Sequence, residues 1–240
     1  MRESLSFSRE LLFLLKNIKI RRWGSLFFSD RCSLLILNLV WVYDNTIVIL
    51  TGVIILVGIS IISVLNVNLF YRNFVEEIFI EFIWTAVPAC LLIFIALPSL
   101  STLYILEDRF EASLNLKTIG HQWYWSYEYR DYKMLEYDSY IERGDFRLLE
   151  VDNSLVLPVN HYICITISST DVIHSWAVPR LGLKCDAIPG RINQLLFLVK
   201  NCGVYFGQCS EICGRNHSFI PIKVEGVRVD IFSNWIIENS

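Results

Sequence analysis

Charge is missing from two long stretches of this chain. No Asp, Glu, Lys or Arg lies between Asn45 and Tyr71, and none lies between Phe82 and Leu106. Each stretch exceeds the ~20 apolar residues that carry a helix across a bilayer, and two of them in the first 106 residues argue against buried core helices of a soluble protein. Pro88 and Pro98 fall inside the second run, where membrane helices tolerate them better than soluble ones. Repeats and low-complexity segments are absent, which excludes solenoids and fibrous arrays. A cysteine pairing pattern is absent too. Of the 7 cysteines, Cys164, Cys185 and Cys202 have no spacing that points to a disulfide framework, and Cys32 and Cys90 read as small hydrophobes at or in the apolar segments. Methionine is scarce, with 2 in 240 residues.

What is present divides the chain in three. Residues 1–44 form an N-terminal extension and interfacial segment, 45–106 a transmembrane α-helical hairpin of two helices, and 107–240 a water-facing domain of ordinary size. That last part carries 17 acidic and 13 basic side chains, against 7 and 8 before it. An acidic face favours a basic protein partner and speaks against nucleic acid. Within residues 1–24, Arg2, Arg9, Lys16, Lys19, Arg21 and Arg22 stand among apolar residues. A transit-like segment, an amphipathic helix on the membrane and a disordered or misassigned start all fit that pattern.

The water-facing part reads as strands. Leu148 to Val151, Leu155 to Val159, Tyr162 to Ile167, Leu195 to Val199, Val204 to Phe206 and Ile220 to Val224 are short, rich in β-branched or aromatic residues, and separated by turn clusters. Such spacing predicts an all-β sandwich or barrel. A final segment, Asp230 to Asn239, predicts a short helix with Trp235, Ile236 and Ile237 packed inward.

One loop carries most of the chemistry. Cys209 and Cys213 stand four residues apart, His217 four further on, and His174 lies upstream on another segment. Soft thiolates with imidazoles suit copper or zinc. A structural zinc site brings its ligands in close pairs from two small units, whereas here three ligands crowd one loop. Two thiolates on that loop are able to bridge two copper ions, each with one histidine, and the backbone near Glu211 is near enough to add an oxygen. Dinuclear copper is the favoured reading, and zinc stays open on chemistry alone.

With those residues in view, the chain resembles the cytochrome c oxidase subunit II family from about Phe28 to its end. The resemblance is carried by Glu81-Phe82-Ile83-Trp84-Thr85, Ala96-Leu97-Pro98-Ser99-Leu100, the run Gly120-His121-Gln122-Trp123-Tyr124-Trp125, Leu148 to Asn153, Asp171-Val172-Ile173-His174-Ser175-Trp176, Asp186 to Arg191, and the loop Cys209 to His217. It implies a cupredoxin-like Greek-key β-barrel on the two-helix hairpin. It also implies a binuclear copper A centre on His174, Cys209, Cys213, His217 and the backbone carbonyl of Glu211. The Glu211 carboxylate would face a magnesium ion shared with subunit I, as a hard cation prefers oxygen. Trp123 is similar to the aromatic through which the electron from cytochrome c comes in, and Glu128, Asp152 and Asp171 resemble acids that dock its basic face. Glu81, at the start of the second apolar run, matches a proton-pathway entrance. The implied partners are oxidase subunits I and III, cytochrome c and the lipid bilayer. The implied setting is the mitochondrial inner membrane with the copper domain in the intermembrane space. There the chain would accept electrons and pass them to haem in subunit I, for oxygen reduction coupled to proton pumping. Two rival readings are a copper-free quinol-oxidase-type subunit, which predicts missing ligands, and a zinc-stabilised binding module.

Two features depart from the family. Where it has a weakly ligating methionine, this chain has Ile220, which offers no donor atom. Together with the scarcity of methionine, this favours translation under the wrong table, since some mitochondrial codes read a usual isoleucine codon as methionine. A genuine isoleucine would leave a site of two thiolates and two imidazoles with a shifted potential. Basic residues, moreover, precede the first helix while only Arg72 joins Glu76, Glu77 and Glu81 between the helices. The positive-inside rule then puts both termini in the matrix, opposite to the resemblance.

Overall fold

The computed structural model describes residues 32–66, 76–107, 111–132 and 135–239. The basic stretch of residues 1–24 and Arg72 lie outside them. Two compact units result. One is the helical part within residues 38–105, and the other comprises the described residues from 106 onward together with residues 32–37.

Helix α1 runs Leu34–Asn66 and α2 runs Ile78–Glu107. Helix α1 therefore starts well before the charge-free run, and Asp44 lies inside it. Ser33 starts it, because its Oγ accepts the Ile36 N–H at 3.2 Å, as an N-cap does. At 1.5 Å per residue each helix is roughly 45–50 Å long, longer than the ~30 Å hydrocarbon core. Their surfaces are apolar, with Leu65 77 % and Phe79 72 % exposed. Leaving such side chains in water forgoes about 1.5–3 kcal/mol each, so these faces belong in lipid. The hydroxyls of Ser60, Thr85 and Thr102 each donate to the carbonyl four residues back, which removes their cost in an apolar medium.

The second unit is all-β with one closing helix. Its strands are β1 (Leu114–His121), β2 (Tyr124–Tyr129), β3 (Glu136–Ser139), β4 (Leu155–Pro158), β5 (Tyr162–Ser169), β6 (His174–Val178), β7 (Leu183–Ala187), β8 (Asn193–Leu198), β9 (Gly203–Gln208) and β10 (Pro221–Val227). They form a five-stranded sheet in the order β3-β2-β1-β5-β8, a three-stranded sheet β4-β10-β9 and the pair β6-β7. Pairing is antiparallel except for β1 with β5 and β4 with β10. The parallel pairs come from long crossovers, the mark of Greek-key connection and not of a simple meander. The fold class is thus the expected one, two membrane helices followed by a cupredoxin-like β domain.

Trp125, Trp176, Tyr127, Tyr129 and Tyr205 are the largest fully buried side chains, set among Leu114, Leu116, Ile163 and Ile165. Tyr129 stitches two sheets together. Its hydroxyl donates to the Val156 carbonyl at 2.8 Å and accepts the Val156 N–H at 3.0 Å. Near the start of α1, Ser33 Oγ donates to the Leu181 carbonyl at 2.6 Å, and the Lys200 N–H donates to the Cys32 carbonyl at 3.0 Å.

Two sequence expectations differ from the fold. Leu148 to Val151 is a turn closed by Leu149 N–H to Phe146 O, with Leu148 at φ 62°, and only Val151 makes an isolated bridge, to Ile141. The closing helix α3, Val229–Asn239, forms as expected and buries Ile236, but Ile237 points outward, 73 % exposed.

Candidate metal centre

The expected donors come from two places. His174 opens β6 and is fully buried, while Cys209, Cys213 and His217 lie on the connection from β9 to β10. That connection has little room to move. The Cys209 N–H donates to the Ile220 carbonyl at 3.1 Å and the Ser210 N–H to the Ser175 carbonyl at 3.0 Å. One bond closes the loop on itself, and the other ties it to the strand that bears His174.

The four side chains line up in a series. His174 Nδ1 lies 3.8 Å from Cys209 Sγ, that sulfur lies 4.0 Å from Cys213 Sγ, and Cys213 Sγ lies 3.5 Å from His217 Nδ1. Among the described residues, the donors of His174, Cys209 and Cys213 all fall within 4.8 Å of one another. Cys209 Sγ also contacts the Glu211 carbonyl at 3.4 Å, so the backbone oxygen expected to join the site is turned toward it. Two adjacent thiols with an imidazole beside each make a soft donor set of the kind that copper or zinc takes.

Protonation follows from the same contacts. Burial works against charge on His174, yet its bonds with Cys209 and Asp171 outweigh this and hold its pKa above the ordinary value. Burial alone would raise Cys209, but His174 and the backbone at Glu211 and Ser175 bring it down to about 7. Burial, followed by the neighbouring Cys209, pushes Cys213 up to about 12. The pair carries one negative charge readily and a second only against repulsion, which a bound cation removes. The donor set fits copper.

Asp171 does more than its expected surface role. Its Oδ1 accepts from His174 Nε2 at 2.9 Å, from Ser169 Oγ at 3.1 Å and from the Val172 N–H at 2.6 Å. Its Oδ2 accepts the Gln122 N–H at 2.6 Å. This fixes the tautomer, with Nε2 donating and Nδ1 free toward the thiols, as second partners of metal-bound imidazoles do. Gly120 packs against the same side chain, where a Cβ would stand 2.9 Å from His174 Cδ2. Both residues lie in segments that carry the family resemblance, but the contacts themselves show only in the fold.

Trp123 sits with Gln122 in the two-residue turn between β1 and β2. It is half-buried, and its indole Nε1 is buried without a hydrogen-bond partner. Gly214 faces it at φ 122°, a conformation that favours glycine. A Cβ on Gly214 would stand 3.4 Å from Trp123 Cζ2. Of the other expected docking acids, Glu128 pairs with Lys117 across the β1–β2 ladder at 2.7 Å. Asp152 accepts the Tyr140 and Asn153 N–H groups at 2.7 Å each. Glu211 is half-buried, and Glu81 is exposed in the first turn of α2. Ile220 is 1 % exposed and shares an apolar cluster with Cys209 and Cys213.

Comparison with known proteins agrees with this architecture. The family model "Cytochrome C oxidase subunit II, periplasmic domain" matches residues 114–227, and "Cytochrome C oxidase subunit II, transmembrane domain" matches residues 21–102. The chain is similar to cytochrome c oxidase subunit 2 of Choristoneura rosaceana, 48 % identical over 89 % of this chain and 97 % of the relative. It is also similar to that of Drosophila melanogaster, 47 % identical over 91 % of this chain and 98 % of the relative. The crystal structure of the periplasmic domain of subunit II of cytochrome oxidase from Bradyrhizobium japonicum matches with a TM-score of 0.53 and 44 % identity. That match covers 54 % of this chain and 95 % of the other. With both family models matched and close relatives aligned over most of its length, the chain belongs to the cytochrome c oxidase subunit II family.

Proposed function

We propose that this chain is the electron-accepting subunit of a mitochondrial cytochrome c oxidase, taking electrons from cytochrome c for delivery to haem in subunit I. As a subunit of the oxidase it is part of an enzyme and not a catalyst alone. The observation that carries the reading is the series imidazole, thiol, thiol, imidazole, with sulfurs 4.0 Å apart and the Glu211 carbonyl turned inward. His174, Cys209, Cys213 and His217 would hold a copper pair, with the Glu211 carbonyl as a further oxygen. When bound, the pair supplies a one-electron redox site whose charge spreads over two ions and two sulfurs.

The chain's own groups do the rest. Asp171 keeps His174 in the tautomer and orientation a ligand needs. Burial of His174, Cys209 and Cys213 excludes water from most of the donor set, so little solvent reorganises when charge arrives. Trp123 supplies a π-system from the outer face to the loop at Gly214. Asp152 and Asp171 would speed encounter with a basic partner, an effect that salt weakens. Glu128 is largely offset by Lys117. The Glu211 carboxylate would take a magnesium ion shared with subunit I. Glu81 would open a proton path, and subunit III would complete the neighbouring membrane subunits.

The organisation that serves this role is α1 and α2 as the membrane hairpin, with α1 taking in the last residues of the 1–44 extension, and 107–240 as copper domain in the intermembrane space of the inner membrane. At position 220 the native residue is methionine under this reading, and its thioether would stand where Ile220 is buried beside the thiols. The test is metal analysis and visible absorption of this subunit separated from the haem-bearing subunit I. Two copper ions with visible bands are expected. Zinc without such bands, or no metal in the subunit of an active oxidase, would overturn the reading.

A further inference from the structure

We infer that Gln122 is a positioning residue for electron transfer, a clamp that registers Trp123 on the metal loop. The inference rests on the reading of Trp123 as the point where the electron comes in. Gln122 is exposed, and an exposed amide at a hairpin tip is ordinarily just solvated. Here both its backbone and its side chain are bound, to two different segments. The backbone N–H donates to Asp171 Oδ2 at 2.6 Å, and Nε2 donates to the Cys213 carbonyl at 2.7 Å. Asp171 in turn accepts from His174 Nε2 at 2.9 Å.

One residue therefore ties the β1–β2 tip to the segment bearing His174 and to the loop bearing Cys213. The bond to the Cys213 carbonyl lies one peptide from Gly214, the residue the Trp123 indole faces. A Cβ on Gly214 would approach both Gln122 Nε2, at 3.1 Å, and the indole. The clamp and the aromatic contact thus share one site on the loop. A two-residue turn sets the strand register but not the distance from its tip to a separate loop. Gln122 sets that distance.

The geometry requires a donor. Gln122→Ala removes it. Gln122→Glu keeps the length but turns an acceptor-only carboxylate on a carbonyl. If Gln122 only touched a basic partner, the added acid would speed docking or leave turnover alone. Under the clamp, Gln122→Glu in the assembled, copper-loaded oxidase lowers kcat for cytochrome c oxidation about 10–100-fold, up to the loss that a 1 Å misplacement brings. KM stays within about twofold, and Gln122→Ala falls between wild type and Gln122→Glu.

A second measurement needs no activity. In the copper-depleted full chain, deuterium uptake over residues 209–217 rises severalfold in both variants while uptake over β5 is unchanged. Trp123→Ala is run alongside. A slow Trp123→Ala with a slow, KM-neutral Gln122→Glu and a loosened loop supports the clamp. Wild-type kcat and loop exchange in Gln122→Glu beside a slow Trp123→Ala overturns the clamp alone. A Trp123→Ala oxidase that turns over normally overturns the reading of Trp123 and the clamp with it.

Discussion

Asp171 spends its carboxylate on four hydrogen-bond donors from three segments, and this decides what its loss would do. If it served only as a surface charge, Asp171→Ala would alter encounter rate and salt dependence. Because His174 loses the acceptor that fixes its ring, copper affinity is expected to fall by about 10–100-fold, the usual effect of removing such a partner. Competition with a copper chelator of known affinity measures this, and unchanged affinity would return Asp171 to the role of a docking acid alone. Residue 220 poses a different question. Its backbone holds the loop shut whatever the side chain, since the carbonyl accepts from Cys209, so an isoleucine does not prevent the site from forming. Fragment-ion spectrometry of the native tryptic peptide from Asn216 to Lys223 is expected to give methionine at 220. Isoleucine there would mean a centre without a thioether and would make its redox potential the next measurement. The metal residues were legible because cysteine and histidine at such spacing have few other uses. Gln122 and Gly120 were not, because an amide on a turn and a glycine in a strand carry no chemistry until the fold shows what they face.

Between elements, the contact most open to test is the Tyr129 hydroxyl that joins β2 to β4. It satisfies both backbone groups of Val156 inside a core where Tyr129 is 1 % exposed. Tyr129→Phe keeps the ring and leaves a buried N–H and C=O unpaired, at a cost of about 1–3 kcal/mol. A lowered thermal midpoint of the detergent-solubilised chain is expected, and an unchanged midpoint would mean water replaces the hydroxyl. The same scale shows what periodicity conveys. Both membrane helices were plain from missing charge, yet the start of α1 was not, because Asp44 looked like a boundary and lies within the helix. Strands β4, β5, β8, β9 and β10 were readable as β-branched or aromatic runs between turns. Strand β1 was hidden because Thr118 and Gly120 point inward while Ile119 points outward, which reverses the apolar alternation. Strand β6 is buried at every position and has no alternation to find. Leu148 to Val151 failed in the other direction, as an apolar run bent by its own turn.

For the whole molecule the open physical question is which side of the membrane holds the β domain. Two successive spanning helices return a chain to the side from which it started. The positive-inside rule counts the basic residues before α1 and assigns that side to the matrix. Under the proposed function, however, the centre needs a donor on its own side, and a mildly acidic domain with Trp123 beside its cysteine loop is proposed to meet a basic donor outside the matrix. The charge rule is a bias of insertion counted over short loops, and long domains translocate largely regardless of it. In mitoplasts, with the outer membrane removed and the inner membrane intact, added protease is expected to degrade peptides from the 107–240 domain. Protection of that domain until detergent is added would put it in the matrix and remove cytochrome c as its electron source, whatever metal it holds.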